Sequence, residues 1–182
     1  MDDDRWEARI WGDDVGASAE RLIERGKPCG DQYRTDTYLL TEDRGVLVKL
    51  RDSDLFEIKR LMGERDGLQH WRKTVSLPFP LSADAAAPLL PGAPAHALTD
   101  AAALTRYAET LEGVRVRSVR KHRRRYLLGE AEAELTAVQA GDRVTQTLGI
   151  EAPNHDAAAE AARTLGLLTL PNTDYGTWLT EG

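Results

Sequence analysis

Charged side chains recur two residues apart in five separate segments of this chain, each pair flanked by mostly apolar residues of the opposite parity. The pairs are Glu7/Arg9, Lys49/Arg51, Glu57/Lys59, Lys121/Arg123 and Glu132/Glu134, and Glu151 adds a single member. In extended chain, residues i and i+2 share a face. The pattern therefore predicts strands with one ionic side and one apolar side. Two arrangements satisfy it. An antiparallel sheet can pack its apolar side on helices and leave the ionic side in water. Alternatively, the sheet closes into a barrel whose ionic sides point inward around a wet cavity, with helices outside. Periodicity leaves both open.

The rest of the chain supplies the other elements. Residues 4–11 alternate as a strand, and 14–25 carry Val15, Ala19, Leu22 and Ile23 at helical spacing, stopped by Gly26 and Pro28. Residues 33–40 are rich in strand formers. Residues 45–51 and 55–61 form a hairpin across the turn Asp52-Ser53-Asp54. Residues 64–73 read as a loop leading to a short helix or strand. Residues 78–97 hold five of the eight prolines and cannot be regular strand or long helix. They read as an ordered connection, so that 1–182 is one domain with a Pro/Ala-rich connection at about 76–98. A helix is expected at 100–111 with Thr99 as N-cap. Residues 114–128 predict one basic strand or two. Residues 130–138 and 143–151 alternate again around the turn Gly141-Asp142. An Ala-rich helix at 155–165 lies between its cap Asn154 and Gly166. The tail LPNTDYGTWL is a short helical turn or strand. Six to eight strands and three helices make an α+β chain.

Composition narrows the function classes. The chain has 182 residues and a net charge of −6. No apolar run approaches the roughly 20 residues that cross a bilayer, and the acidic start MDDDRWEAR is unlike a signal peptide. The single Cys29, placed in an expected loop, excludes an internal disulfide and a Cys-based zinc site. A cytoplasmic protein is the expectation. The acidic total argues against a general nucleic-acid binder, yet seven cations crowd residues 115–125. Such a strand repels itself unless an anion or carboxylates lie nearby. Glu130, Glu132 and Glu134 are candidate cross-strand partners. If the cations are exposed instead, they form a surface for RNA or a protein partner. The four histidines are not spaced as metal ligands. Trp6 reads as core, Trp71 and Trp178 as packing helices on the sheet. Trp11 shares parity with Arg9 and is a candidate for a cavity mouth. No P-loop, dinucleotide fingerprint or nucleophile elbow is present.

Cations and carboxylates mixed in one cavity fit a specific task. Arginine binds phosphate oxygens in a bidentate manner and lysine acts as a compact charge. Carboxylates at the same place repel phosphate unless they carry Mg²⁺ or Mn²⁺, which bridges the two anions.

These segments resemble the CYTH superfamily, the triphosphate tunnel enzymes. WEARIWG sits where that family has E-x-E-x-K, VLVKLR resembles its L-R-I-R strand, LFEIKRL its E-x-K strand, VRKHRRRY its K-x-R strand and EAEAELTAV its later acidic strand. TLGIEAPNHDAAAEAARTLGL followed by NTDYGTWL resembles the family's closing pattern, and the combination is most similar to a bacterial branch of CYTH-like proteins. The resemblance implies a closed antiparallel barrel with helices packed outside, and hydrolysis of an inorganic or organic triphosphate with Mg²⁺ or Mn²⁺. It implies a triphosphate or nucleotide as partner and no membrane. It leaves the oligomeric state open, a homodimer included. Carried over by position, Arg9, Lys49, Arg51, Lys59, Lys121 and Arg123 become phosphate ligands. Glu7, Glu57, Glu132, Glu134 and Glu151 become metal ligands or organisers of the basic groups, and Lys59, Glu132 and Glu134 the catalytic set. The chain departs at three positions: Arg5 replaces the first carboxylate, Arg9 replaces the motif lysine, and Gly149 replaces a late glutamate. Fewer carboxylates hold a metal less tightly. The alternative is therefore a binding module that senses or sequesters polyphosphate or a nucleotide. Cyclase activity ranks below hydrolysis, since no H-F-R-type motif is evident.

Overall fold

The computed structural model describes residues 4–87 and 90–181. Met1–Asp3 of the acidic start and Pro88–Leu89 of the Pro/Ala-rich connection lie outside the described residues. Eight strands close into an antiparallel barrel: β1 (Asp4–Trp11), β2 (Lys27–Leu40), β3 (Val46–Arg51), β4 (Leu55–Arg65), β5 (Leu68–Pro78), β6 (Arg115–Leu128), β7 (Ala131–Ala140) and β8 (Arg143–Ala152). Their order around the barrel is β1-β5-β4-β3-β2-β6-β7-β8, and β8 returns to β1. Closure leaves no open sheet edge. It also decides between the two arrangements that periodicity allowed.

Tight turns with left-handed backbone set two of the hairpins. Asp52 and Ser53 (φ 49° and 63°) open the three-residue link Asp52–Asp54 between β3 and β4, and Asp66 and Gly67 (φ 53° and 77°) form the two-residue turn between β4 and β5. This geometry matches the twist of the paired strands, and Asp-Gly is among its preferred sequences. The expected loop at 64–73 is therefore replaced by the end of β4, a tight turn and the start of β5. Cys29 also departs from expectation: it is exposed within β2, at a bulge between Pro28 and Gly30. Residues 115–128 form one long strand, paired with β2 on one side and β7 on the other.

Helices cover the apolar outer faces. Helix α1 (Val15–Arg25) and helix α4 (His155–Leu165) bury Val15, Leu22, Ala158, Ala161, Ala162 and Leu165 against Ala8, Ile10, Ala133, Leu135, Leu148 and Ile150. Burial of each such leucine contributes about 1.5–3 kcal/mol. On the other side, helix α2 (Ala83–Ala86), helix α3 (Ala101–Ala108) and the Pro/Ala-rich connection bring Leu81, Ala86, Leu90, Leu98 and Leu104 onto Val48, Leu50, Phe56 and Ile58. Asp100 caps α3 in place of Thr99: its Oδ1 accepts from the Ala103 amide at 2.8 Å, while the Thr99 hydroxyl donates to its Oδ2. A carboxylate is the stronger acceptor.

The inner face changes character along the strands. Inward positions on β2, β6, β7, β1 and β3 run from ionic residues to Tyr38, Val119, Val138, Trp11 and Leu47, which share one apolar cluster. Helix α5 (Tyr175–Thr180) fills that end of the barrel with Tyr175, Trp178 and Leu179. Trp11 stacks on Trp178 with centroids 4.2 Å apart, so it seals the closed end and does not line a mouth. Trp178 packs helix α5 on the end of the barrel as expected, whereas Trp71 lies on β5 with its side chain on the cavity. Trp6 is half-buried, stacked on His70 at the margin of the core. The segment before α5 repairs β1 where β5 stops. Asn172 accepts from the Arg9 amide and donates to the Glu7 and Gly67 carbonyls, and the Thr173 amide donates to the Arg9 carbonyl. No helix among the described residues is long and apolar enough to cross a membrane.

Candidate functional site

Ten of the eleven residues expected at a site line one cavity inside the barrel: Glu7, Arg9, Lys49, Arg51, Lys59, Lys121, Arg123, Glu132, Glu134 and Glu151. The eleventh, Glu57, shares the inward parity of Lys59 but is 1% exposed, covered by Lys49 (3.4 Å) and Arg51 (2.9 Å), which approach one of its oxygens. The cavity is polarised. β1, β8 and β7 carry four of the five lining carboxylates, Asp174 being the fifth, whereas β2, β3, β4 and β6 carry most of the cations. At the rim, Arg125 pairs with Glu132 at 2.6 Å, both half-exposed. At the closed end, the contacts are almost dry. Lys121 Nζ donates to Asp36 at 2.6 Å and to Tyr38 at 2.7 Å, and lies 3.7 Å from the centre of the Tyr175 ring.

Asp36 is fully buried, and sequence reasoning missed it. Arg34 also binds it, at 3.0 Å. Burial alone raises its pKa, but Lys121, Lys49 and Arg34 outweigh burial and hold it well below the usual carboxylate range. The available signal was parity: Arg34, Asp36 and Tyr38 alternate just as the recognised pairs do. Lys49 sits among other cations in the same dry region. Burial lowers its pKa to about 8, with Lys59 and Arg51 adding to the shift and Asp36 and Glu57 opposing it.

The departures at residues 9 and 149 form one structural unit. Arg9, Gly149 and Glu134 are in register across β1, β8 and β7. The Arg9 guanidinium lies across Gly149 to reach Glu134 Oε1 at 2.7 Å. A Cβ at residue 149 would stand 2.5 Å from Arg9 Nη2. Arg123 takes the other oxygen of Glu134 through Nε and Nη2. Burial works against the Glu134 charge, yet Arg9 and Arg123 hold its pKa well below the ordinary value. With both oxygens bound to guanidinium groups, Glu134 organises the cations.

Two residues toward the rim on each strand, Glu7, Glu151 and Glu132 form a second row across the same strands. Lys59 donates to Glu7 at 2.6 Å. Burial and the neighbouring Glu7 raise the Glu151 pKa. A divalent cation relieves such crowding, and hard oxygen donors suit Mg²⁺ or Mn²⁺. Yet the described residues contain no ready-made group of three ligands. This row therefore fits a metal held by one or two carboxylates that completes its shell with substrate oxygens, the usual habit of Mg²⁺.

The closed eight-stranded antiparallel barrel is the fold that the resemblance in sequence implied, and solved structures share it. A conserved hypothetical protein from Pyrococcus furiosus is similar over 90% of this chain and 91% of its own, with a TM-score of 0.58 and 14% identity. A "putative adenylate cyclase" from Bacillus halodurans matches over 96% of this chain and 95% of its own (TM-score 0.50, 10% identity). One from Vibrio parahaemolyticus matches over 99% of both chains (TM-score 0.50, 11% identity). At these identities the likeness is one of fold. No family model and no curated protein matches the sequence.

Proposed function

We propose that this protein is a divalent-metal-dependent phosphohydrolase acting on an inorganic or organic triphosphate inside the barrel. The observation that carries the reading is the polarised cavity, with a basic wall facing a row of carboxylates. Lys49, Arg51, Lys59, Lys121, Arg123 and Arg9 bind and neutralise the phosphate chain, which lowers the cost of charge developing at the transferred phosphoryl group. Glu151, with one of its neighbours Glu7 and Glu132, would hold Mg²⁺ or Mn²⁺, and the metal would supply charge neutralisation and orientation of water when bound. Lys59, tied to Glu7, links the two walls. Glu134 keeps Arg9 and Arg123 in place.

The test is phosphate release from tripolyphosphate, ATP and thiamine triphosphate with Mg²⁺ or Mn²⁺. Release from the parent, with loss in Lys59→Ala and Glu132→Ala, supports the reading. Release no greater than in those variants rejects hydrolysis. The engagement of Glu134 by two arginines favours a second reading, a polyphosphate- or nucleotide-binding module without turnover. Calorimetry would then show binding that weakens with salt and releases no phosphate.

Lys49 adds a pH signature. Its folded pKa of about 8 lies below the free-lysine value of 10.5. Between those values the unfolded chain holds a proton that the folded chain has released, so stability should rise with pH across this window. Polyanion affinity should fall over the same window, because the site loses a cation. Calorimetric titrations and urea unfolding at pH 7 to 10 should show these opposite slopes, and Lys49→Met should reduce both, leaving the contribution of Lys121, whose pKa burial also lowers. Parallel slopes would contradict the assignment.

A further inference from the structure

Three buried donor atoms on the cavity lining have no hydrogen-bond partner among the described residues: Tyr175 Oη, Arg34 Nε and Arg51 Nε. Asp36 Oδ1 and Glu57 Oε2 also make no hydrogen bond, but both carboxylates are ion-paired, Asp36 with Lys121 and Arg34 and Glu57 with Lys49 and Arg51, and neither residue lines the cavity. Buried polar groups are nearly always satisfied, so these donors require an explanation. They are also spread along the cavity. Tyr175 is at the closed end, while Arg34 and Arg51 stand nearer the rim on β2 and β3.

Tyr175 is the informative member. It is 6% exposed, and its ring lies between Lys121 Nζ at 3.7 Å and Arg9 Cζ at 4.6 Å. Trp11 meets its edge and Tyr38 stacks on it. The ring is therefore fixed by neighbours that do not use its hydroxyl. Burial raises the phenol pKa, which keeps the proton on the oxygen and available for donation. Behind Tyr175, the indoles of Trp11 and Trp178 and the side chain of Leu179 close the barrel.

We infer that Tyr175 is a ligand-binding residue that receives the free terminal phosphoryl group of an extended polyphosphate, seated end-on at the closed end of the cavity. The inference rests on the triphosphate reading and specifies the ligand's direction. The phosphate terminus enters first, Arg34 and Arg51 meet the following phosphates, and any organic group stays at the rim. A ligand blocked at both ends has no terminus to place against α5 and is excluded.

Calorimetry with tripolyphosphate, ATP and diadenosine tetraphosphate tests this on the full chain. Tyr175→Phe removes one oxygen and keeps the ring. Its affinity for tripolyphosphate should fall about tenfold, the scale of a hydrogen bond to a charged group, while its melting temperature does not drop because no protein partner is lost. Parent protein should bind ATP at least about a hundredfold more tightly than diadenosine tetraphosphate, the scale expected when buried donors are left without an acceptor. Unchanged tripolyphosphate affinity in Tyr175→Phe, or equal binding of the capped and free-ended nucleotides, overturns the inference and leaves the triphosphate reading standing. If the parent binds neither tripolyphosphate nor ATP, the triphosphate reading itself fails and this inference fails with it.

Discussion

Asp36→Ala should lower the melting temperature by roughly 6–20 °C and abolish polyanion binding. The side chain is completely buried and is the shared counter-ion of Lys121 and Arg34. Removing one member of a buried ion pair costs about 3–5 kcal/mol, since the remaining charge has neither water nor a partner. For a chain of this size each kcal/mol corresponds to about 2–4 °C. Lys121 can escape that cost by losing its proton, and a neutral Lys121 no longer attracts phosphate. Both losses therefore have one cause. Lys121→Met in the Asp36→Ala background should recover much of the stability and none of the binding, because an apolar replacement removes the stranded charge. Urea unfolding of the four proteins measures the coupling. Additive effects of the two substitutions would show that the pair is not the unit described here.

Gly149→Ala should carry the next largest effect, although it adds only a methyl group. The new Cβ would fall 2.5 Å from the Arg9 guanidinium, which must shift; because Glu134, Thr147 and the Tyr175 ring hold that group, the shift loosens its bond to Glu134. Losing a hydrogen bond between charged groups costs about 1.5–3 kcal/mol. Glu134 would then have Arg123 alone, and affinity for tripolyphosphate should fall by about one to two powers of ten, each power being about 1.4 kcal/mol. The same substitution made in Arg9→Ala should cost less than about 0.5 kcal/mol, since nothing remains to be displaced. A double-mutant cycle read by both unfolding and binding checks this. Equal costs in the two backgrounds would mean that residues 9 and 149 act independently.

These two variants mark where the sequence was legible and where it was not. Period-two alternation identified the inward residues of β1, β3, β4, β6, β7 and β8, because a barrel keeps parity along each strand. Asp36 follows the same rule, but in Tyr33-Arg34-Thr35-Asp36-Thr37-Tyr38 the polar residues of both parities hide it. The start of β2 was hidden for another reason: Lys27-Pro28-Cys29-Gly30 has poor strand propensity, and a bulge takes up the misfit. The Asp66-Gly67 turn was readable as a hairpin signal, yet Glu64, Arg65 and Gln69 beside it show no alternation. Gly149 was visible as a departure from the motif. Its physical reason was not, because the residue that fills its space comes from β1 and the residue reached comes from β7. The sealing role of α5 was likewise invisible locally: Tyr175, Trp178 and Leu179 have the spacing of any short amphipathic turn. Their inward position depends on the pairing of Asn172 and Thr173 with β1.

The central claim is that the ionic faces of these strands meet inside the barrel to bind one polyphosphate. A crystal structure of the protein soaked with tripolyphosphate and Mn²⁺ tests it most directly. The account predicts the anion within the barrel between Lys59, Lys121 and Arg123, with its terminal phosphate toward Tyr175. Anion found instead on the outer face of β6, at the exposed Arg120 and Arg124, with the interior unchanged, would contradict it.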